Sequence, residues 1–435
     1  MPSLLVRSQL IAVVSLALAP LADAASFTPL GDLAGGSFKS NALDVSAAGS
    51  VVVGNATADG DSDAFRWTAA TGMQRVVANN FSTGRGVSDD GSTSVGQLAQ
   101  SFQFFGFRAV DGGSLLSVGD LPGGLNTSDA EAASADGSVV VGKSRSTPGQ
   151  EAYRWTPGGG IQGLGDLPGG AFDSGARDLS SDGSVVVGFG ASSSGTEAFR
   201  WTAGDGMQGL GDLPGGAFSS IAESVSADGS VVVGRASTVD GLEAFLWNAA
   251  DGMQGLGTLP GSNRFSLATG VSGDGTRVVG GSSGAAFIWD AQAGIRSVQT
   301  VLADAGVDLT NWNLATAAAI SADGTTGVGT ASNPSGNEEA FLATLAAQPA
   351  CDFSGDGAVY NDDLNLLLTN WGAPVLPLPT GWEGTPPAGA AVDNDELNDL
   401  LNNWGAGAAV SVPEPTSGML LVLIATAARR RRRNT

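Results

Sequence analysis

The sequence predicts an all-β fold: a seven-bladed β-propeller closed by its N-terminal strand, with a small module of loops and short helices behind it. A turn of the form Ser-x-Asp-Gly recurs every 42–49 residues, and its aspartate stands at positions 90, 136, 182, 228, 274 and 323 after an opening variant at Ala48-Gly49. An aromatic segment recurs in step, from Phe65-Arg66-Trp67 to Phe341-Leu342-Ala343. Both patterns count seven units within residues 25–345, and a fixed period of this length is typical of repeat architectures.

Each unit carries four strand signals, as residues 222–259 illustrate. Residues 222–226 form a short segment before Asp228-Gly229, a pair that supplies the positive φ angles of a tight hairpin turn. Val231-Val232-Val233 is apolar without alternation, as in a strand covered on both faces. Residues 243–247 and 253–259 give the third and fourth strands. Four short strands in about 40–50 residues is the size of one propeller blade.

The strand count predicts how the ring closes. Fourth-strand segments are expected at 73–77, 114–121, 160–167, 206–213, 252–259 and 294–302. The seventh unit lacks such a segment, whereas a surplus segment, Phe27–Leu33, precedes the first unit. A ring closes if this segment completes the last blade, which removes an open sheet edge. An open β-solenoid, the alternative, needs no such offset.

The repeated strings Gly-Asp-Leu-Pro-Gly-Gly and Glu-Ala-Phe-Arg-Trp resemble the HAF-type extracellular repeat family. The first string is complete at Gly119–Gly124, Gly165–Gly170 and Gly211–Gly216, and it is degraded at Gly31–Gly36 and Gly257–Gly261. The resemblance spans residues 27–345, with a departure in the second unit, where Ala109 replaces the tryptophan. It implies an exported repeat protein and supplies no catalytic residues.

The repeated side chains have both structural and functional interpretations. The five in-register tryptophans are expected to fill space between blades, with stacking on sugars as the alternative. The arginines at 66, 108, 154 and 200 are expected to pair with a nearby acid such as Asp178 or Glu223, or else to bind an anion. The aspartates at 32, 120, 166 and 212 form either an acidic arc on one rim or backbone hydrogen-bond acceptors. Asp59-Gly-Asp61-Ser-Asp63 is either a calcium-type loop or a polar hairpin.

Residues 1–24 have the three parts of a secretory signal peptide. Arg7 supplies the charge, residues 10–21 form the apolar stretch, and Ala22-Asp23-Ala24 is a small-x-small cleavage site. We expect cleavage between Ala24 and Ala25, hence export. The alternative, an N-terminal anchor, is disfavoured because the apolar stretch contains Pro20 and falls short of the roughly 20 residues that a span needs.

Residues 411–435 form a second targeting segment. Pro413-Glu414-Pro415 precedes an apolar stretch at 416–428 and five arginines at 429–433. A basic cluster after an apolar segment stays cytoplasmic, which leaves the chain before it outside the membrane. This arrangement resembles the PEP-CTERM sorting signal, which implies a Gram-negative-type cell, a tail initially in the inner membrane and processing by an exosortase. The alternative is a plain C-terminal membrane anchor.

The residues between 346 and 410 suggest a calcium module. A loop with oxygen ligands at positions 1, 3, 5, 7 and 12 and glycine at position 6 is typical of an EF-hand calcium site. The ligands would be Asp352, Ser354, Asp356, the Ala358 carbonyl and Asp363. A second copy of the helix follows at 395–405, but its loop has lost its oxygen donors, so one calcium ion is expected.

Residues 351–406 resemble a dockerin, a duplicated half EF-hand. The resemblance implies docking to a cohesin-like protein. A small calcium-stiffened spacer between the propeller and the tail is an equal alternative.

Composition excludes several classes of function. The 435 residues include no histidine and one cysteine, Cys351, so His-based catalysis, His-ligated metals, an intrachain disulfide and a cysteine zinc site are ruled out. Loss of both targeting segments removes six of 20 basic and two of 43 acidic residues, which leaves 14 and 41 and changes the net charge from −23 to −27. Nucleic acid and anionic lipid are poor partners for such a surface.

The sequence therefore favours a non-enzymatic protein that is secreted or held at the cell surface and binds exopolysaccharide or another surface component. Two alternatives belong to other classes. One is an extracellular glycan-acting enzyme with paired carboxylates in the central channel. The other is an assembly subunit that docks to a cohesin-like partner.

Overall fold

The computed structural model describes residues 25–77, 81–100, 103–113, 115–261, 265–345 and 361–369. Within these ranges the chain forms 28 strands, numbered β1 to β28 in chain order, and two short helices, α1 and α2. The prediction of an all-β repeat domain is confirmed.

Strand β1 (Ser26–Pro29) precedes the first repeat. The first strands of the successive repeats are β2 (Ser40–Val45), β6 (Ser82–Val87), β10 (Gly123–Ala133), β14 (Gly169–Leu179), β18 (Gly215–Val225), β22 (Ser266–Val271) and β26 (Asn313–Ile320). The second strands are β3 (Val51–Ala58), β7 (Thr93–Gln100), β11 (Val140–Ser146), β15 (Val185–Ser192), β19 (Val231–Thr238), β23 (Arg277–Ser282) and β27 (Thr326–Ser332).

The third strands are β4 (Asp61–Thr68), β8 (Gln103–Val110), β12 (Gln150–Thr156), β16 (Gly195–Thr202), β20 (Gly241–Asn248), β24 (Ala285–Asp290) and β28 (Glu338–Thr344). The fourth strands are β5 (Gly72–Arg75), β9 (Leu115–Ser117), β13 (Gly160–Gly163), β17 (Gly206–Gly209), β21 (Gly252–Gly257) and β25 (Gly294–Ser297). The fourth strands are shorter than predicted. In the regular repeats, glycines with positive φ, such as Gly165 (φ 81°) and Gly211 (φ 81°), turn the chain out of the sheet soon after the strand.

The strands form four four-stranded sheets and one twelve-stranded sheet. Within a repeat, consecutive strands pair antiparallel. The large sheet consists of three such groups, and single parallel bridges join them at Gln150–Asp173 and Thr196–Ser219. At each bridge an 11-residue first strand, β14 or β18, which begins within a complete Gly-Asp-Leu-Pro-Gly-Gly string, reaches the third strand of the preceding repeat.

The N-terminal strand completes the last sheet, as the sequence predicts. Strand β1 pairs antiparallel with β28, from Ser26 opposite Thr344 to Pro29 opposite Phe341. It ends earlier than the predicted Phe27–Leu33, because Gly31 turns the chain with a φ of 76°. The ring of Phe27 lies 4.9 Å from that of Trp312 and 5.6 Å from that of Phe341, centroid to centroid, so the strand is also held by aromatic packing.

Backbone hydrogen bonds join the turns between the first and second strands of neighbouring repeats. The Ala47 N–H donates to the Asp89 carbonyl at 3.1 Å, and similar bonds run from turn to turn until the Ala322 N–H donates back to the Ala47 carbonyl at 3.1 Å. The donors between them are Asp90, Ala135, Ser181, Ala227 and Gly273. The series returns to its start, so the sheets surround a common axis in a propeller-like arrangement.

A buried serine on the first strand fastens six of the repeats to the repeat before them. The Ala152 N–H on β12 donates to the Ser174 hydroxyl at 3.0 Å, and that hydroxyl donates to the Gly165 carbonyl at 2.6 Å. Serines that accept in the same way stand at 40, 82, 128, 174, 220 and 266. Each lies six residues before the turn serine, a spacing that the sequence itself displays.

The core is also repeated. One aromatic ring per repeat, on the third strand, is at most 1% exposed; these rings are Phe65, Phe107, Tyr153, Phe199, Phe245, Phe287 and Phe341. The in-register tryptophans are partly buried and pack against the same clusters. Their packing agrees with the structural interpretation of these residues.

The predicted strand at 294–302 is wrong in its second half. Strand β25 ends at Ser297, and helix α1 (Val298–Asp304) follows, with the Ser297 side chain accepting from the Thr300 N–H. Val298 and Leu302 are buried against the last sheets, and this packing favours a helix over the predicted strand. Helix α2 (Asn361–Thr369) begins three residues before the helix predicted from Leu364.

Substitution Phe27→Ala is expected to lower the free energy of unfolding by about 2 kcal/mol, below the range for a fully buried ring because Phe27 is partly exposed. Denaturant unfolding measures it. Ser26→Ala is the matched control because Ser26 lies on the same strand and is exposed. Equal losses for the two variants would contradict the role of Phe27 in closure.

Candidate functional site

The first strands of the repeats line one central cavity of about 180 Å³. Its walls come from β2, β6, β10, β14, β18, β22 and β26 together with several of the turns that follow them. At the end of the cavity that is formed by the turns, most of the inward-facing residues are small. One hydrogen bond joins side chains of different repeats there: the Ser181 hydroxyl donates to Asp89 Oδ2 at 2.6 Å.

One position in the cavity wall carries alternating charges. It lies four residues before the turn residue whose carbonyl accepts the hydrogen bond between repeats. Its occupants, in order, are Leu43, Arg85, Glu131, Arg177, Glu223, Thr269 and Ala318. Four consecutive repeats thus present Arg, Glu, Arg and Glu, whereas the other three present uncharged side chains. At this position the cavity wall is therefore charged in four consecutive repeats and uncharged in the other three, although nearly identical repeats build it.

Ion pairs connect the charged side of the cavity. Arg177 lies 3.5 Å from Glu131 and 3.6 Å from Glu223, while Arg85 lies 3.6 Å from Glu131. Lys143 and Arg235, on second strands, extend this charge network to Asp129 (3.4 Å) and Glu223 (3.6 Å). The alternation matters because the side chain of Glu131 is only 7% exposed, and a buried charge is stable only when opposite charges compensate for its lost hydration.

The ion pairs of this network are longer than hydrogen bonds. Among the residues that the structure describes, Arg85 Nε, Glu131 Oε1 and Arg177 Nε are buried atoms without a hydrogen-bond partner. The Arg177 guanidinium also lies over the ring of Phe189, with its Cζ atom 5.4 Å from the ring centre, a cation–π distance. The side chains are therefore positioned mainly by charge and stacking.

Two aspartates in the cavity have pKa values near neutrality. Burial, together with the charges of Asp178 and Asp89, raises the pKa of Asp44 to about 7, against two backbone hydrogen bonds that lower it. Burial likewise raises the pKa of Asp178 to about 6. Both join neighbouring repeats: Asp44 accepts from the Val87 N–H at 2.8 Å, and Asp178 accepts from the Val225 N–H at 2.9 Å.

The repeated turn aspartates have structural partners. In the third repeat, the Ser134 hydroxyl accepts from the Val139 N–H and donates to Asp136, which also accepts from the Ser138 N–H. Hydrogen bonds from Ser138 and Ser134 lower the pKa of Asp136 to about 2. These contacts fix the hairpin that follows the first strand and leave the carboxylate as an acceptor.

The expected pairing of the repeated arginines with Asp178 or Glu223 is wrong. Arg108, Arg154 and Arg200 each donate from Nε to the carbonyl of the turn glycine in the next repeat, at 2.7–3.1 Å. Arg66 makes the same contact from Nη2 and an ion pair with Asp111. In the sixth repeat Ile288 replaces the arginine, but Arg277, on the second strand, reaches the next turn carbonyl, that of Gly324, at 2.8 Å.

The two acidic features in the loops are also structural. Asp32, Asp166 and Asp212 accept backbone N–H groups seven residues ahead, which supports the acceptor interpretation over a cation-collecting arc. In the loop at 59–63, Arg75 pairs with Asp59 at 2.5 Å and with Asp63 at 3.3 Å, so a guanidinium takes the place that a calcium ion would need.

The predicted calcium ligands Asp352, Ser354, Asp356 and Ala358 lie outside the described residues, as do Pro413, Glu414, Pro415 and Ala24. Asp363 lies on α2, and Ala25 is the first described residue. Within the described ranges, His, Cys, Asp and Glu side chains form no group of three that could hold a metal ion. A helix long and apolar enough to span a membrane is likewise missing from that part of the chain.

Sequence reasoning missed the alternating charges in the cavity. A signal existed, because the residue four positions before the turn residue that accepts the hydrogen bond between repeats can be read from the aligned repeats. Only the sheet geometry shows that these positions face one another. Fold and site together define an all-β repeat protein with a charged central cavity.

No protein-family model and no curated protein matches the chain. Among solved structures it is similar to TolB from Acinetobacter baumannii (12% identity, 68% of this chain and 64% of that chain covered, TM-score 0.41). It is also similar to an oligogalacturonate lyase in complex with manganese (14%, 70% and 88%, 0.45) and to the oligogalacturonate lyase from Vibrio parahaemolyticus (10%, 73% and 93%, 0.46). Values this low transfer neither site residues nor an activity to this chain.

Substitution Arg177→Leu is expected to lower the free energy of unfolding by about 2 kcal/mol, because it leaves Glu131 and Glu223 inside the protein without their shared cation. Thermal and denaturant unfolding measure the loss. Glu338→Gln, which breaks the exposed Lys39–Glu338 pair of 2.7 Å, should change it by no more than about 0.5 kcal/mol. Similar losses for both would show that the cavity charges contribute no more than surface charges.

The raised pKa values predict a pH dependence of stability. An aspartate whose pKa in the folded protein lies above its ordinary 3.8 stabilises the fold, and this contribution is fully present below pH 3.8. It is lost as the pH rises through the folded pKa, which is about 6 for Asp178 and about 7 for Asp44. The unfolding temperature of Asp44→Asn, relative to the parent, should therefore rise between pH 4 and pH 8. Asp136→Asn is a control in which the sign is reversed. The pKa of Asp136 is lowered in the folded protein, so the unfolding temperature of this variant, relative to the parent, should fall between pH 2 and pH 4. A pH-independent difference for Asp44→Asn would contradict the buried titration.

Proposed function

We propose that residues 25–345 form a seven-bladed β-propeller closed by β1. The proposal is supported by the turn-to-turn hydrogen bonds, which pass through seven turns and return from Ala322 to Ala47. It is also supported by the pairing of β1 with β28, which gives the last repeat its fourth strand. The twelve-stranded sheet fits this count as three blades joined at their edges.

The propeller is, in this proposal, a non-enzymatic module that binds exopolysaccharide or another surface component. The observation that carries the proposal is the engagement of the repeated polar side chains. The turn aspartates accept hydrogen bonds within their own hairpins, and the arginines bind the next turn. In the cavity, Glu131 and Glu223 pair with arginines. Such groups form a rigid scaffold whose outer surface is available for binding.

An extracellular glycan-acting enzyme is the second candidate. Asp44 and Asp178 favour it, because carboxylates with pKa values near neutrality are typical of general acids and bases. The backbone N–H groups that hold both aspartates argue for a structural role instead.

Export and surface location belong to the same proposal. The signal peptide would be removed before Ala25, and closing strand β1 begins at the next residue. The PEP-CTERM-like tail would pass through the inner membrane and be processed by an exosortase at a Gram-negative-type cell surface. The module at 346–410 would bind one calcium ion through Asp352, Ser354, Asp356, Ala358 and Asp363, and it would serve as a spacer or dock to a cohesin-like partner.

Co-sedimentation tests this proposal. Purified residues 25–410 are mixed with exopolysaccharide from the source cells, with calcium or with a chelator, and the pellet is assayed. Saturable binding in either condition supports a matrix protein. Binding that requires calcium and is lost in Asp352→Ala/Asp356→Ala would locate the contact in the calcium module. Absence of binding in both conditions overturns the polysaccharide proposal, and release of sugar fragments would favour the enzyme.

A further inference from the structure

An apolar side chain recurs near the start of the first strand in six repeats, and four of the six are exposed. It stands one to three residues before the buried serine, and its occupants are Phe38, Phe81, Leu125, Phe172, Phe218 and Phe265. Phe38, Phe81 and Phe265 are 38–44% exposed, Leu125 is 68% exposed, and Phe172 and Phe218 are partly buried. In the seventh repeat Trp312 packs against Phe27 instead. We call these six side chains the apolar series.

The apolar series lies on one face of the protein. The first strands all end at the ring of hydrogen-bonded turns, so their starts lie together at the opposite end of the fold. Glycines in the adjacent hairpins keep this end compact, since a Cβ at Gly149 would lie 2.1 Å from the Phe172 carbonyl and one at Gly195 would lie 2.3 Å from that of Phe218. The positions of the phenylalanines are thus set by backbone packing.

The core does not require the exposed members of the series. Each repeat already has a fully buried ring on its third strand, and the series adds surface that stays in contact with water. Scattered exposed apolar side chains need no explanation, whereas their recurrence at one position of the repeat, on one face, suits a ligand that itself repeats. Aromatic rings contribute large, rigid contact area that can cover the apolar face of a sugar.

The charge of the protein indicates which polymer this face accepts. Carboxylates or carbonyls already hold 12 of the basic side chains that the structure describes, from Lys39 to Arg296. Few cations remain for an acidic polymer, and the net charge, −23 for the full sequence and −27 without the two targeting segments, would repel it.

We infer that the apolar series is a binding surface for a neutral polysaccharide, whose sugar rings stack on the exposed phenylalanines of the series. The inference rests on the proposed function and names the face and the class of ligand. Several weak contacts along one polymer give a combined affinity well above that of any single contact.

The test measures binding of exopolysaccharide from the source cells, in its native form and after chemical reduction of its carboxyl groups to alcohols. The triple variant Phe38→Leu/Phe81→Leu/Phe265→Leu keeps an apolar surface but removes three rings, and it should bind at least about 10-fold more weakly. The matching triple change to tyrosine should retain binding. Leu116→Gln is the control: Leu116 is 48% exposed on β9, outside the series, and glutamine is the residue of the regular repeats there. Unfolding temperatures confirm that each variant is folded.

The outcomes separate this inference from the function on which it rests. Undiminished binding of the carboxyl-reduced polymer together with loss in the leucine variant supports it. Equal binding by parent and leucine variant overturns the inference while the polysaccharide function stands. Binding that disappears on carboxyl reduction overturns the neutral class of ligand. Absence of binding by the parent overturns the proposed function itself.

Discussion

Every repeat buries polar groups that only the next repeat can satisfy, and this constraint governs the whole structure. The Ser174 hydroxyl accepts from the preceding repeat, Arg154 donates to the following turn, and Asp178 accepts from the following first strand. A buried donor or acceptor without its partner costs about 1–3 kcal/mol, so an open chain of repeats would lose several such contacts at each end. The series of repeats has no such open ends, because the Ala322 N–H donates back to the Ala47 carbonyl and β1 pairs with β28.

The repeats vary where these contacts allow it. The arginine of the third strand is lost in the sixth repeat, but the same turn carbonyl is bound by Arg277 from another strand, so the contact is kept while its donor moves. The second repeat departs further. Ala109 replaces the tryptophan, and Leu115 and Leu116 are 39% and 48% exposed at its outer edge. Ala109 still packs against a small cluster that holds Ala64 of the first repeat and Phe107 of the second, so this position keeps its contact between repeats with a smaller side chain.

The sequence predicted the elements that depend on local chemistry. Asp-Gly turns, valine runs and the surplus N-terminal segment placed the strands in all repeats and paired β1 with the last sheet. Contacts between repeats were harder to predict. The partner of Arg154 is a backbone carbonyl 29 residues away, which no side-chain pattern reveals, and helix α1 replaced a predicted strand because Val298 and Leu302 pack on two sheets. An alignment of the repeats shows the alternating charges of Arg85, Glu131, Arg177 and Glu223. Only the ring geometry shows that these side chains line one cavity.

Conserved and variable positions of the repeats therefore have different meanings. The serine is kept in six repeats and the turn positions are nearly identical in all of them, because the ring needs the same contact many times. The cavity position varies from leucine to arginine to glutamate without damage to those contacts, so the charged side is specific to four of the repeats. The apolar series is a third case, since it is repeated and yet exposed. Packing between repeats explains why the serine and turn positions are constant, and it tolerates variation at the cavity position. The apolar series at the surface is explained instead by a partner that repeats along its own length.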